Sequence, residues 1–136
     1  MEQGGGNENV AVGAYSMYGV DGARNAGVGY LALYYAGSGY NNAALGAGAL
    51  EFTAGGYNNS GVGNLALRTN SDGFNNSAFG AEADVTSANL SFATAIGSNA
   101  KVATSNTLAL GRNSAVDQVV IGTDTRNDTR LNTRLY

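Results

Sequence analysis

Three copies of one phrase constrain what this chain can fold into. Gly39-Tyr40-Asn41-Asn42, Gly56-Tyr57-Asn58-Asn59 and Gly73-Phe74-Asn75-Asn76 recur at a spacing of 17, each followed by a small-apolar-Gly triplet ending at Gly46, Gly63 or Gly80. Self-similarity at a fixed short period means stacked copies of one unit. The second glycine of the unit extends the register both ways, through Gly13, Gly29, Gly46, Gly63, Gly80, Gly97, Gly111 and Gly122, in steps of 16, 17, 17, 17, 17, 14 and 11. Such steps are too short for the paired helices of a helical solenoid. They fit one coil of a β-solenoid with two short strands and two turns per rung. Glycine also interrupts the apolar residues every few positions, so no 3.6-residue period survives.

The expected fold is therefore all-β, a parallel β-solenoid of about eight rungs over residues 9–122. Residues 1–8 are polar and glycine-rich and are expected to be loose. Residues 123–136 repeat Thr-Arg at Thr125, Thr129 and Thr133, and read either as a connector or as the start of a following module. With 21 glycines and no proline, the composition suits stacked tight turns whose amides must all donate to a neighbouring rung.

Composition also narrows the chemistry. The chain has no histidine and no cysteine, so the commonest general base, the commonest metal ligand and any disulfide framework are missing. Charged residues make up 12%, the formal charge is −3, and the seven basic residues are scattered, which gives no footprint for nucleic acid. No apolar run is long enough to insert into a membrane, and MEQGGGNE lacks the basic-then-apolar order of a secretion signal. No cofactor or metal is expected, and no enzymatic activity.

Alternation within the strands separates two columns. Just before each second glycine stand Val12, Val28, Leu45, Val62, Phe79, Ile96, Leu110 and Ile121; one residue earlier stand Ala11, Gly27, Ala44, Gly61, Ala78, Ala95, Ala109 and Val120. Successive strand residues face opposite sides, so the large column is expected to fill the coil. The small column, Ala11 to Ala109, is then a surface for close approach, either at a threefold axis between chains or between two sheets of one coil. Tyr15-Ser16-Met17, Leu31-Ala32-Leu33, Gly48-Ala49-Leu50 and Leu65-Ala66-Leu67 read as second strands, and later copies turn polar in that slot, as in Glu82-Ala83-Asp84 and Asn99-Ala100-Lys101.

Ala95-Ile96-Gly97-Ser98-Asn99-Ala100 and Leu108-Ala109-Leu110-Gly111-Arg112-Asn113-Ser114-Ala115 resemble the head repeats of YadA-type trimeric autotransporter adhesins. The longer Gly-aromatic-Asn-Asn copies are similar to the same repeat in bacteriophage tail fibres. The resemblance covers about residues 9–122 and implies a left-handed parallel β-roll, a homotrimer, and attachment to a surface. It implies one of two locations, a virion tail fibre or a bacterial cell surface. The implied partners beyond the chain itself are a cell-surface glycan or a matrix protein.

Four further candidate sites are visible in the residues. Gly27-Val28-Gly29-Tyr30-Leu31-Ala32 fits a relaxed dinucleotide fingerprint but lacks the βαβ context. Regular calcium sites would need an aspartate in every turn, yet Ser38 and Gly55 stand where Asp21 and Asp72 precede glycine. Glu51, Asp72, Glu82, Asp84 and Asp117 are the carboxylates available to a polysaccharide-cleaving spike, and Glu82 with Asp84 would share one strand face. Tyr40, Tyr57 and Phe74 form an aromatic column that is either a candidate glycan contact or a ladder steadying the turns. The adjacent asparagines are expected to form amide ladders.

Overall fold

The computed structural model describes residues 6–112 and Asp117. The expectations for residues 1–5, for the last copy at Gly122 and for residues 123–136 lie outside the described residues. Asn7 and Glu8 are already engaged: the Asn7 carbonyl accepts the Arg24 N–H at 3.0 Å, and Glu8 lies 3.9 Å from the Arg24 guanidinium.

The chain is an all-β solenoid of about six turns. Nine short strands are described: β1 (Val10–Val12), β2 (Ala26–Val28), β3 (Ala43–Leu45), β4 (Ser60–Val62), β5 (Ser77–Phe79), β6 (Asp84–Val85), β7 (Thr94–Ile96), β8 (Lys101–Val102) and β9 (Leu108–Leu110). Seven of them stack as one parallel sheet in the order β1-β2-β3-β4-β5-β7-β9, while β6 and β8 pair as a second sheet. The register follows the glycine spacing, with Ala44 opposite Gly61, Gly61 opposite Ala78, and Ala78 opposite Ala95. At about 4.8 Å per strand the seven-stranded stack is roughly 30 Å long.

The two strand columns sit the opposite way round from the sequence expectation. Gly27, Ala44, Gly61, Ala78 and Ala95 are buried inside the coil, with Ala11 and Ala109 partly buried at its two ends. Val12, Leu45, Phe79, Ile96 and Leu110 face outward and are 41–55% exposed. The reason is volume. Met17, Leu33, Leu50 and Leu67 enter the interior from the following segment and are 0–3% exposed. A rung this small has no room for a second large column opposite them: a Cβ on Gly61 would meet the Ala66 carbonyl oxygen at 3.1 Å and Leu50 Cγ at 3.4 Å. Each buried leucine contributes about 1.5–3 kcal/mol by leaving water.

That following segment is also not a strand in the first four rungs. Tyr15 and Met17, Leu31 and Leu33, and Leu65 and Leu67 all have φ between +52° and +57°, with Gly48 and Leu50 at +64° and +51°. Alternating left-handed residues let the ladder continue through a bend: the Leu33 N–H donates to Ala49 O at 3.0 Å, and the Leu50 N–H to Ala66 O at 2.9 Å. Among the described residues, only Asp84–Val85 and Lys101–Val102 adopt extended geometry there, and in those rungs Val85 and Val102 take over as the inward residues.

Every repeat glycine from Gly29 to Gly80 has φ between +133° and +141°. A Cβ on Gly46 would lie 2.4 Å from Gly63 O, so adjacent rungs touch backbone to backbone at this corner. Only glycine fits both demands.

Candidate functional site

The opposite corner is built from asparagine. Asn25, Asn42, Asn59 and Asn76 are 0–1% exposed, one per rung. The Asn42 backbone N–H donates to Asn25 Oδ1 at 2.9 Å, and the Asn59 and Asn76 N–H groups donate to the preceding asparagine at 3.0 and 2.9 Å. Each Nδ2 group donates forward to a carbonyl of the next rung, Asn42 to Gly56 O and Asn59 to Gly73 O, both at 2.8 Å. The run starts at Asn9 and ends where the Ala93 N–H donates to Asn76 Oδ1. Of each Asn pair the first member lies outside: Asn41, Asn58 and Asn75 at φ +55° make a second, superficial amide ladder.

Beside it Tyr40, Tyr57 and Phe74 stack in one column. Their ring centroids are 4.9 and 5.0 Å apart, and the rings lie within 2° of parallel. The faces therefore cover one another, and the column offers mainly ring edges and the Tyr40 and Tyr57 hydroxyls to solvent.

A different aromatic group is packed less regularly, with Tyr18 over Tyr34 at 5.4 Å and 22°. Tyr15, Tyr18, Tyr30 and Tyr35 are 50–54% exposed on the turn wall of the first two rungs. Tyr15 meets Tyr18, Tyr30 and Tyr34 edge to face, with centroids 6.2–6.4 Å apart and interplanar angles of 67–88°. Tyr35 continues to Phe52 at 6.4 Å, and the Arg68 guanidinium lies 5.4 Å from the Phe52 ring centroid. Sequence reasoning missed this group because its columns are short, Tyr18 recurring one step on at Tyr34 and Tyr35 at Phe52 before Arg68 and Thr69 take those places. The legible signal was local density, since five of the eight tyrosines fall between Tyr15 and Tyr35.

Next to Phe52 opens a groove of about 510 Å³, lined by Leu65, Arg68, Thr69, Glu82, Asp84 and Lys101 as well. Of the five candidate carboxylates, Glu51 is paired with Arg68 at 2.7 Å and Asp117 with Arg112 at 2.8 Å. The Arg112 guanidinium holds the Asp117 carboxyl below the ordinary range. Asp72 is exposed. Glu82 and Asp84 both line the groove but differ in setting: Glu82 is exposed at φ +57° in the turn, whereas Asp84 is 4% exposed at the start of β6.

Asp84 is held by its neighbours. Its carboxylate accepts from Thr69 Oγ1 at 2.7 Å, the Thr69 N–H at 3.2 Å and the Val85 N–H at 2.8 Å, with Lys101 Nζ 3.8 Å away. Burial nevertheless pushes its pKa up, opposed by the Thr69 hydroxyl, the Val85 amide and the Lys101 charge. A folded-state pKa above the unfolded value means that Asp84 contributes stability at pH below the unfolded pKa. That contribution is lost as pH rises through the folded pKa. Compared with Asp84→Asn in urea titrations, the wild type should therefore gain relative stability between about pH 7 and about pH 3. A difference that stays flat over this window contradicts the assignment.

Comparison with protein-family models, with curated proteins and with solved structures finds no match in any of the three. Among the described residues no cluster of three or more carboxylates could hold a metal ion, and no helix is long and apolar enough to cross a membrane.

Proposed function

We propose that this chain is a non-catalytic segment of a homotrimeric attachment fibre, a left-handed β-roll that associates through the outer face of its seven-stranded sheet. One observation carries the reading. Val10, Val12, Val28, Leu45, Phe79, Ile96, Leu108 and Leu110 line that face and are 37–57% exposed in the single chain. A contiguous apolar patch of this kind marks an interaction site. It is also continuous from β1 to β9, as a contact running the length of a fibre requires. The resemblance of the repeats to adhesin heads and phage tail fibres supports two further copies of the same chain as the occupants, related by a threefold axis. Ala11, Gly27, Ala44, Gly61, Ala78, Ala95 and Ala109 then serve packing inside each coil.

Of the two parents the resemblance implies, we favour a virion tail fibre, with the head of a bacterial trimeric adhesin as the other. The full reading frame separates them, because a chaperone domain follows the repeats in one and a stalk with a membrane barrel in the other. In either, binding to a cell-surface glycan or matrix protein is multivalent, and three linked weak sites gain avidity by effective concentration.

Light scattering tests the assembly. The wild-type chain is expected at three times its monomer mass at micromolar concentration. Leu45→Lys combined with Ile96→Lys should convert it to monomer or to insoluble protein, because unpaired charges would be buried at the contact. A folded wild-type monomer at that concentration sinks the trimer.

A further inference from the structure

We propose that the turn wall binds a neutral oligosaccharide, laid from Tyr15 and Tyr18 across Tyr35 and Phe52 into the groove between Glu82 and Lys101. This rests on the attachment reading above and deepens it by naming a site and a ligand class. Three observations on this wall point the same way.

The first is exposure. Tyr15, Tyr18 and Tyr35 leave half their surface in water, although a solvated turn needs no aromatic. Later rungs fill the corresponding positions with Glu82, Arg68 and Thr69.

The second is ring orientation. In the Tyr40-Tyr57-Phe74 column the faces are consumed by stacking at 1–2°. On this wall the rings are less closely stacked: Tyr15 meets its neighbours edge to face, Tyr18 lies over Tyr34 at 5.4 Å and 22°, and Tyr35 over Phe52 at 6.4 Å and 14°, while Tyr15, Tyr18 and Tyr35 keep half their surface exposed. A pyranose presents an apolar C–H face ringed by hydroxyls. It matches an aromatic face with a phenolic hydroxyl beside it, which both buries the C–H surface and supplies hydrogen bonds.

The third is the groove. Phe52 belongs both to the aromatic strip and to the lining of the 510 Å³ groove, so the two form one continuous surface. Arg68 is held by Glu51 and Asp84 by Thr69 and the Val85 amide, which leaves the exposed Glu82 carboxylate and the Lys101 ammonium to hydrogen-bond sugar hydroxyls. With Glu51 counted, two cations stand against three carboxylates, and a set with no surplus positive charge favours a neutral chain over a sialylated or sulfated one. The wall is separate from the sheet face assigned to the trimer contact.

The test is an array of neutral hexose and N-acetylhexosamine oligosaccharides with sialylated and sulfated members as the anionic arm, followed by calorimetry with the best-bound member. Wild type is expected to bind neutral oligosaccharides, and Tyr18→Ala and Tyr35→Ala should each weaken binding by up to about tenfold, the scale of one aromatic contact. Phe92→Ala, which removes another half-exposed ring away from this wall, should bind as wild type does. Circular dichroism and light scattering on the same samples separate the two ideas. A silent array with an intact trimer overturns the oligosaccharide site and leaves the fibre standing; sugar binding by a folded monomer does the reverse. Preference for the anionic arm, or unchanged binding by the tyrosine variants, also overturns the site. So does a tyrosine-dependent change in assembly mass without sugar binding, which would assign the strip to protein contact.

Discussion

Gly46→Ala and Gly63→Ala are expected to be among the most damaging single changes in this protein. The new Cβ would lie 2.4 Å from Gly63 O in the first and 2.5 Å from Gly80 O in the second, and those oxygens belong to backbone that cannot rotate away. Both positions also have φ near +137°, where any side chain is strained. Strain of about 1–3 kcal/mol and overpacking of a similar size act together. Against a total stability of about 5–15 kcal/mol for a domain, that sum removes a large share. The rungs can separate only by lengthening bonds such as Gly63 N–H to Leu45 O, now 2.8 Å. Thermal denaturation of Gly63→Ala should show a fall of many degrees, whereas Asn64→Ala, one residue on and exposed, should stay close to wild type. A Gly63→Ala midpoint equal to that of wild type would refute the backbone contact.

Asn59→Leu is the second change with a large expected effect. Asn59 is wholly buried: its Oδ1 accepts the Asn76 N–H at 2.9 Å, and its Nδ2 donates to Gly73 O at 2.8 Å. Leucine leaves the Asn76 N–H buried and unpaired, at about 1–3 kcal/mol, and leaves Gly73 O only the longer bond from Asn70 Nδ2 at 3.4 Å. Asn59→Asp gives a sharper diagnostic. The carboxylate keeps the acceptor for Asn76 but loses the donor facing Gly73 O and places a charge in the interior. Burial and the facing carbonyl raise its folded-state pKa above the unfolded value of about 3.9. The variant should therefore be most stable in acid, where a protonated oxygen can donate, and should lose that stability as pH rises through the folded pKa. Urea titrations across this range measure it. A variant equally stable in acid and at neutral pH would mean that Asn59 does not hold the rungs together.

The glycine register was legible because it repeats and because close backbone contact admits only glycine. The asparagine ladders were legible for the same reason, although the sequence could not say that Asn42 lies inside and Asn41 outside. The strand columns were assigned the wrong way round. Alternation separates Leu45 from Ala44, but which of them faces in depends on what enters from the next wall, and Leu50 had already filled that space. The left-handed geometry at Leu33, Leu50 and Leu67 was hidden because leucine carries no local signal for positive φ. The tyrosine strip was missed because its columns are only two rungs deep, Tyr18 over Tyr34 and Tyr35 over Phe52, too short to stand out as a repeat.

A chain built from near-identical units risks threading one unit out of step, since its glycines, asparagines and outer aromatics would pair equally well after such a slip. One inward column does not repeat: Val20, Ala36, Thr53 and Asn70 follow one another, each fully or almost fully buried. The Thr53 hydroxyl donates to Asn70 O at 3.2 Å, and Asn70 Oδ1 accepts from Asn76 at 2.8 Å. Shifted by one unit, side chains of unlike volume would meet in the same interior layer, asparagine where threonine fits and threonine where alanine does. The column numbers the rungs from within, and a misthreaded chain is penalised at each number that fails to match.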